Sequence, residues 1–183
     1  MLRIARTVCV PLLCCLALGC SSLAVQKPTA SVTGMSLRGV DAEGFTLDFA
    51  VDVSNPNSVA LPVSAADYEL GMGGVRVLDG EARPEGSIPA RGTRAVTVPV
   101  AVNFEQLLAA EAAIRDSGGN VPYDLAGGLT FDTGTPLVGR VRVPLRHSGT
   151  IPMRRILSDP EALLRSPEAK RLAAAVLGGF FGR

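Results

Sequence analysis

Tryptophan is absent, and aromatic residues of all kinds make up only 4% of the 183 residues. A core must therefore come from Val, Leu, Ile and Ala, for which a hydrophobic share of 47% is ample. His147 is the single histidine, and the four cysteines all fall at or before position 20. No zinc-holding His/Cys set can be assembled beyond that point, and no internal disulfide can close there. An excess of charge is missing as well, the net being +1. That excludes the basic footprint of a nucleic-acid binder and the acidic composition of a solvating tail. Lysine is nearly absent, Lys27 and Lys170 being the only two, and we read the arginine bias as GC-rich coding, not chemistry. After Cys20 no apolar run approaches the roughly 20 residues that a membrane-crossing helix needs. Turn residues, in contrast, are plentiful: 20 Gly and 13 Pro suit a fold of many short connections.

The first residues read as an export signal. Arg3 and Arg6 precede an uncharged, mostly apolar run from Val8 to Leu18. This is the order of a charged n-region and an h-region too short to span a bilayer. Leu16-Ala17-Leu18-Gly19-Cys20 then resembles the lipobox of bacterial lipoproteins. In that motif a small residue lets the peptidase reach the bond, and the cysteine thiol accepts a diacylglyceryl group. Here Ala17 stands where leucine is usual, with Leu16 and Leu18 on either side. Cys14 and Cys15 are poorer acceptors, because Leu13 and Cys14 precede them. The expectation is that residues 1–19 are removed and that Cys20 becomes a lipidated first residue. Two or more acyl chains anchor stably, since each buried CH2 contributes about 0.8 kcal/mol. By resemblance to the sorting rule of enteric bacteria, Ser21 directs the chain to the outer membrane, on its periplasmic face. Residues 20–30 read as a lipidated tether.

From Ser31 the pattern has period two. Phe45, Leu47, Phe49, Val51 and Val53 alternate with Thr46, Asp48, Ala50 and Asp52, as a half-buried strand requires. Val96, Val98, Val100 and Val102 form a second such strand, and Val141, Val143 and Leu145 a third. Weaker strands are expected at 31–37, 66–72, 75–82 and 122–131. Asn55-Pro56-Asn57 ends the first strong strand. One helix interrupts the strands: Asn103 is its N-cap with Gln106 three residues on, and Gly118-Gly119 stops it. Its stripe is Phe104, Leu107, Ala110 and Ile114, with Glu111 and Arg115 spaced for a pair. About seven strands with regular turns predict a mainly β, antiparallel sandwich with one inserted helix.

The ordered set carries a resemblance. An alternating strand leads to Asn55-Pro56-Asn57 and Leu61-Pro62-Val63. Tyr68-Glu69-Leu70, Ile88-Pro89-Ala90-Arg91-Gly92, the valine strand and its helix follow, and Tyr123-Asp124-Leu125 and Gly149-Thr150-Ile151-Pro152 close it. Residues 31–152 resemble the late embryogenesis abundant type 2 family, also called the WHy domain (water stress and hypersensitive response). The glycines at 71–74 and 118–119 depart from the pattern. The resemblance implies an immunoglobulin-like or fibronectin III-like sandwich and an association with desiccation. It brings no catalytic residues and no cofactor.

Residues 153–183 form a helical C-terminal extension. Asp159-Pro160-Glu161 and Ser166-Pro167-Glu168 each place an N-cap, a proline and an acid at a helix start. Leu172, Val176, Leu177, Phe180 and Phe181 make the last helix apolar on one side. That face either packs on the chain's own sandwich, docks a partner, or lies in a membrane interface.

Chemistry is sparse. His147 lacks a Gly-x-Ser-x-Gly nucleophile turn, so a hydrolase triad is not supported. Asp48 and Asp52 share the outer face of one strand, as a carboxylate or calcium pair or simply as a solvated face. Arg140, Arg142 and Arg146 form a stripe that meets phosphates or pairs with acids across strands. The sequence thus predicts a non-enzymatic lipoprotein, held on the membrane by its lipid. Its partner would be an envelope protein or an apolar ligand. The alternative is a carrier or chaperone for a lipid or other amphiphile.

Overall fold

The computed structural model describes residues 25–134, 139–158 and 165–177. Cys20, the lipobox residues Leu16, Ala17, Leu18 and Gly19, the Asp159-Pro160-Glu161 cap, and Phe180 and Phe181 lie outside the described residues.

Two antiparallel sheets face each other. The first has the order β1 (Thr29–Val40), β2 (Gly44–Ser54), β6 (Thr93–Asn103). The second runs β4 (Val75–Ala82), β3 (Leu61–Met72), β7 (Asn120–Asp132), β8 (Arg140–Pro152), with the two-residue β5 (Ser87–Ile88) added to β3. Mainly β architecture and a sandwich are as expected from the alternation. The inward set of β2, Phe45 to Val53, is buried throughout, and Val96, Val98, Val100 and Val102 of β6 face it. Leu70, Leu129, Phe131, Val143 and Ile151 complete the opposite wall. Period two puts every second side chain on one face, so strands eleven to thirteen residues long each contribute an apolar row.

Four details depart from the sequence reading. β1 starts at Thr29, two residues before the expected Ser31, and β5 lies where only a turn is predicted. The glycines at 71–74 resolve into a β3–β4 hairpin with Gly73 and Gly74 at φ +56° and +81°, the mirror-image turn geometry that glycine allows. The single expected helix is broken into α1 (Phe104–Leu107), a 3-10 turn over Leu108–Ala110, and α2 (Glu111–Asp116). Phe104, Leu107 and Ala110 are all buried and stand three residues apart. Side chains three apart eclipse on a 3-10 winding, so the tighter turn over Leu108–Ala110 keeps Ala110 in line with Leu107. The start is as read: the Asn103 backbone N–H donates to Gln106 Oε1 at 3.2 Å.

The sandwich has two unlike ends. At one lie the start of β1, the 55–60 loop and the 83–92 connection, because Thr29 pairs with Ser54 and Leu61 with Ile88. The other carries α1, α2, α3 (Met153–Leu157) and α4 (Pro167–Leu177).

Candidate functional site

The Asn-Pro-Asn segment is a clasp, not merely a turn. Asn55 is buried, and its Nδ2 donates to the carbonyls of Val59 at 2.8 Å, Pro89 at 3.0 Å and Ile88 at 3.3 Å. Its Oδ1 accepts from the backbone N–H and the Nδ2 of Asn57, both at 3.0 Å. Asn57 in turn closes a two-way bond with Gln26: Gln26 N–H donates to Oδ1 at 2.7 Å, and Nδ2 donates to the Gln26 carbonyl at 2.8 Å. The Asn57 carbonyl accepts from the Arg91 N–H at 2.8 Å and holds that residue at φ +50°. Buried polar groups cost free energy unless paired, and here every branch finds a partner. Three segments remote in sequence are thereby locked: the start of the fold, the 55–60 loop and the 88–92 turn. Pro56 is exposed and makes no such bond. Residues 26–30, read as tether, are partly docked into the fold through Gln26 and the first rung of β1.

On the outer face of the second sheet, Arg142 of β8 reaches over β7 to Asp67 of β3. Its Nε donates to Asp67 Oδ1 at 2.9 Å, and Nη2 pairs with Oδ2. The path is open because residue 128 is glycine: a Cβ there would stand 2.7 Å from the guanidinium carbon. The Arg142 hydrogen bond and charge hold the Asp67 carboxyl below its ordinary value of 3.8, burial opposing them. Both side chains are about half exposed. Arg142→Ala should therefore cost less than about 1 kcal/mol at neutral pH. A carboxyl with a lowered folded-state pKa contributes stability above its unfolded pKa and loses it as pH falls through the folded one. The gap in urea midpoint between wild type and Arg142→Ala should therefore close in acid, below 3.8. A gap unchanged there would rule out the ion pair as its source. Arg38 likewise pairs with Asp48, Nη2 to Oδ1 at 2.7 Å, so that carboxylate is engaged by a cation, while Asp52 is exposed. Arg142 of the arginine stripe is thus engaged across strands, as one of its two readings held.

The C-terminal extension folds back on the domain. Met153, Ile156 and Leu157 of α3 and Ala169, Leu172 and Ala173 of α4 join the core. Ser166 caps α4, its Oγ accepting from the Ala169 N–H at 3.1 Å. Arg171 pairs with Glu111 of α2 at 3.1 Å, which ties the two helices together. Leu172, one of the five residues of the candidate docking face, is spent inside the molecule.

The family model described as "Late embryogenesis abundant protein" matches residues 50–149, a span that includes the clasp residues Asn55 and Asn57. The chain belongs to this late embryogenesis abundant (type 2) family. It is 33% identical over 129 residues to the late embryogenesis abundant protein Lea14-A of Gossypium hirsutum, covering 69% of this chain and 82% of that one. To the desiccation protectant protein Lea14 homolog of Glycine max it is 32% identical, over 69% and 82% of the two chains. An Arabidopsis thaliana protein solved in solution shares the fold at a TM-score of 0.57 with 30% identity, over 70% and 83%.

For this family member the described residues offer little to a small ligand inside the fold. The apolar gap between the sheets, lined by Phe49, Val51, Val98, Leu125 and Leu145, measures about 10 Å3. That is at most the room for one water. A larger groove of about 460 Å3 opens where β1 meets β8, floored by Leu47, Ile151 and Ile156 and rimmed by Arg155. No group of three His, Cys, Asp or Glu among the described residues could hold a metal. His147 touches the ring of Tyr123 at 6.1 Å between centroids. Sequence reasoning did not find the Gln26–Asn57 bond or the Asp67–Arg142 bridge. Their partners are 31 and 75 residues apart, and no local pattern announces such a pairing.

Proposed function

We propose that this chain is a non-enzymatic, lipid-anchored member of the family that works by binding at the cell envelope during water loss. The observation that carries the reading is family membership, with relatives named for desiccation at 32% and 30% identity over more than four-fifths of their length. Cys20 supplies the anchor, Ser21 directs it to the outer membrane, and the sandwich is presented on the periplasmic side. Tethering raises the effective concentration of a binding surface, so weak contacts suffice. A closely packed core supports a surface role over a carrier that buries an acyl chain between its sheets. If an amphiphile is carried, the β1–β8 groove is the recess that has the size for it.

Cys20→Ser should move the protein from the membrane fraction to the soluble periplasm and abolish the acyl mass on the mature N-terminus. An unchanged membrane fraction would overturn the anchor. Loss of the gene should lower survival of drying, with no change in growth when wet. Equal survival would overturn the stress role. Organic extraction of the natively purified chain should yield no stoichiometric lipid beyond the covalent one; a retained amphiphile would favour the carrier.

A further inference from the structure

We infer that the end of the sandwich at which the chain enters the fold is a cationic foot that rests on anionic phospholipid headgroups. The inference rests on the anchor at Cys20 and adds an orientation and a lipid class to it. Gln26 is clamped to Asn57, so the fold begins at that end. Gln26 lies six Cα steps from Cys20, and a fully extended chain of that length reaches about 20 Å. The anchored end therefore cannot leave the bilayer surface by more than that distance.

Most of the charges there are positive, and Arg94 also gives an N–H to the Ser87 carbonyl at 3.1 Å. Lys27, Arg83, Arg91 and Arg94 are exposed, and among the described residues none of them pairs with an acid. Glu85 is the acid set among them, while Asp132 stands directly opposite Arg140 at the sheet margin. Elsewhere Arg38, Arg76, Arg115, Arg142 and Arg171 meet carboxylates, while Arg146 and Arg155 are exposed singly on β8 and α3. Val59 stands at the same end and is 50% exposed, the most exposed large hydrophobic residue among those described. It is not on a loose tip. Asn55 holds its carbonyl, and Asn57 holds the Arg91 N–H, so the clasp fixes the backbone of the apolar contact and of one cation in one arrangement. A basic, rigid surface with one apolar point, leashed within reach of a membrane, complements a layer of negative headgroups. The helical end is then directed away. Strands of eleven to thirteen residues place α4 roughly 35–40 Å from the foot, facing the periplasm.

The test uses the acylated mature chain reconstituted on vesicles of phosphatidylcholine alone or with added phosphatidylglycerol. With Cys20 acylated, a cysteine introduced at Val59→Cys or Lys170→Cys is the only free thiol for a fluorophore. The probe at 59 should be quenched by brominated lipid on phosphatidylglycerol vesicles, and the quenching should fade with added salt. The probe at 170 should stay bright on both. The triple variant Arg83→Glu, Arg91→Glu, Arg94→Glu should lose the quenching at 59 while its acyl chains keep it on the vesicle. Thermal unfolding of that variant checks that it folds. Without acyl chains, the Cys20→Ser chain should bind phosphatidylglycerol vesicles weakly, falling about fivefold for each of the three arginines removed. A chain that stays on vesicles with residues 59 and 170 equally quenched overturns the orientation alone. A purified chain with no acyl mass on Cys20 overturns the orientation and the anchor together.

Discussion

Asn55→Ala is expected to destabilise the domain by about 3 kcal/mol, because an orphaned buried donor or acceptor costs roughly 1–3 kcal/mol. The truncation leaves the carbonyls of Val59, Ile88 and Pro89 without their shared donor, and both donors of Asn57 without their acceptor. Some of these groups lie near enough to the surface for water to replace part of the loss, which keeps the figure well below the sum of five bonds. Pro56→Ala is the control. It sits between the two asparagines but is exposed, so its cost should stay within about 0.5 kcal/mol. Urea unfolding at constant slope separates them: a large drop in midpoint for Asn55→Ala and almost none for Pro56→Ala. Equal midpoints for the two variants would show that the segment is a turn and nothing more. Asn57→Ala should have an intermediate and more local effect, with faster exchange of the Gln26 amide, since that N–H loses its acceptor.

The second large effect belongs to the C-terminal helix. Leu172 is fully buried, with Ala169 and Ala173 beside it. Leu172→Ala should cost about 2–4 kcal/mol, the transfer free energy of the lost carbons plus the cavity they leave. The loss should appear as a lower midpoint for the whole sandwich, because α4 is seated against α1, α2 and α3, which carry the core residues Phe104, Leu107, Ile114 and Ile156. Arg171→Ala breaks only the exposed pair with Glu111 and should cost less than about 1 kcal/mol. A helix used solely for docking would behave otherwise: Leu172→Ala would leave the unfolding midpoint untouched and weaken partner binding alone. If the midpoint falls as expected, any partner that reads α4 must read its outer side, where Lys170 and Arg171 are exposed.

Together these variants separate two layers of construction. The clasp organises the end where the chain enters the fold, and the helices close the opposite end. Between them, the apolar gap lined by Phe49, Val51, Val98, Leu125 and Leu145 measures only about 10 Å3. The groove between β1 and β8 adds a recess at the sheet margins.

The sequence by itself determined the elements whose cause is local. Alternating Phe, Leu and Val over 45–53 and Val over 96–102 can bury one face only as strands, and both do. The bond between Asn103 and Gln106 and the Ser166 cap of α4 join residues three apart, so they too were legible. Only the tertiary structure decided what was remote. It took β3 and β8, flanking β7, to bring Arg142 to Asp67 across the glycine at 128. Closure of the sandwich set Gln26 beside Asn57 and turned an Asn-Pro-Asn turn into a knot of three segments. Phe104, Leu107 and Ala110 are buried together where the expected helix passes through a 3-10 turn. The physical reason is common to all three. A periodic pattern states which face of an element must leave water, but register and packing select which distant element receives it.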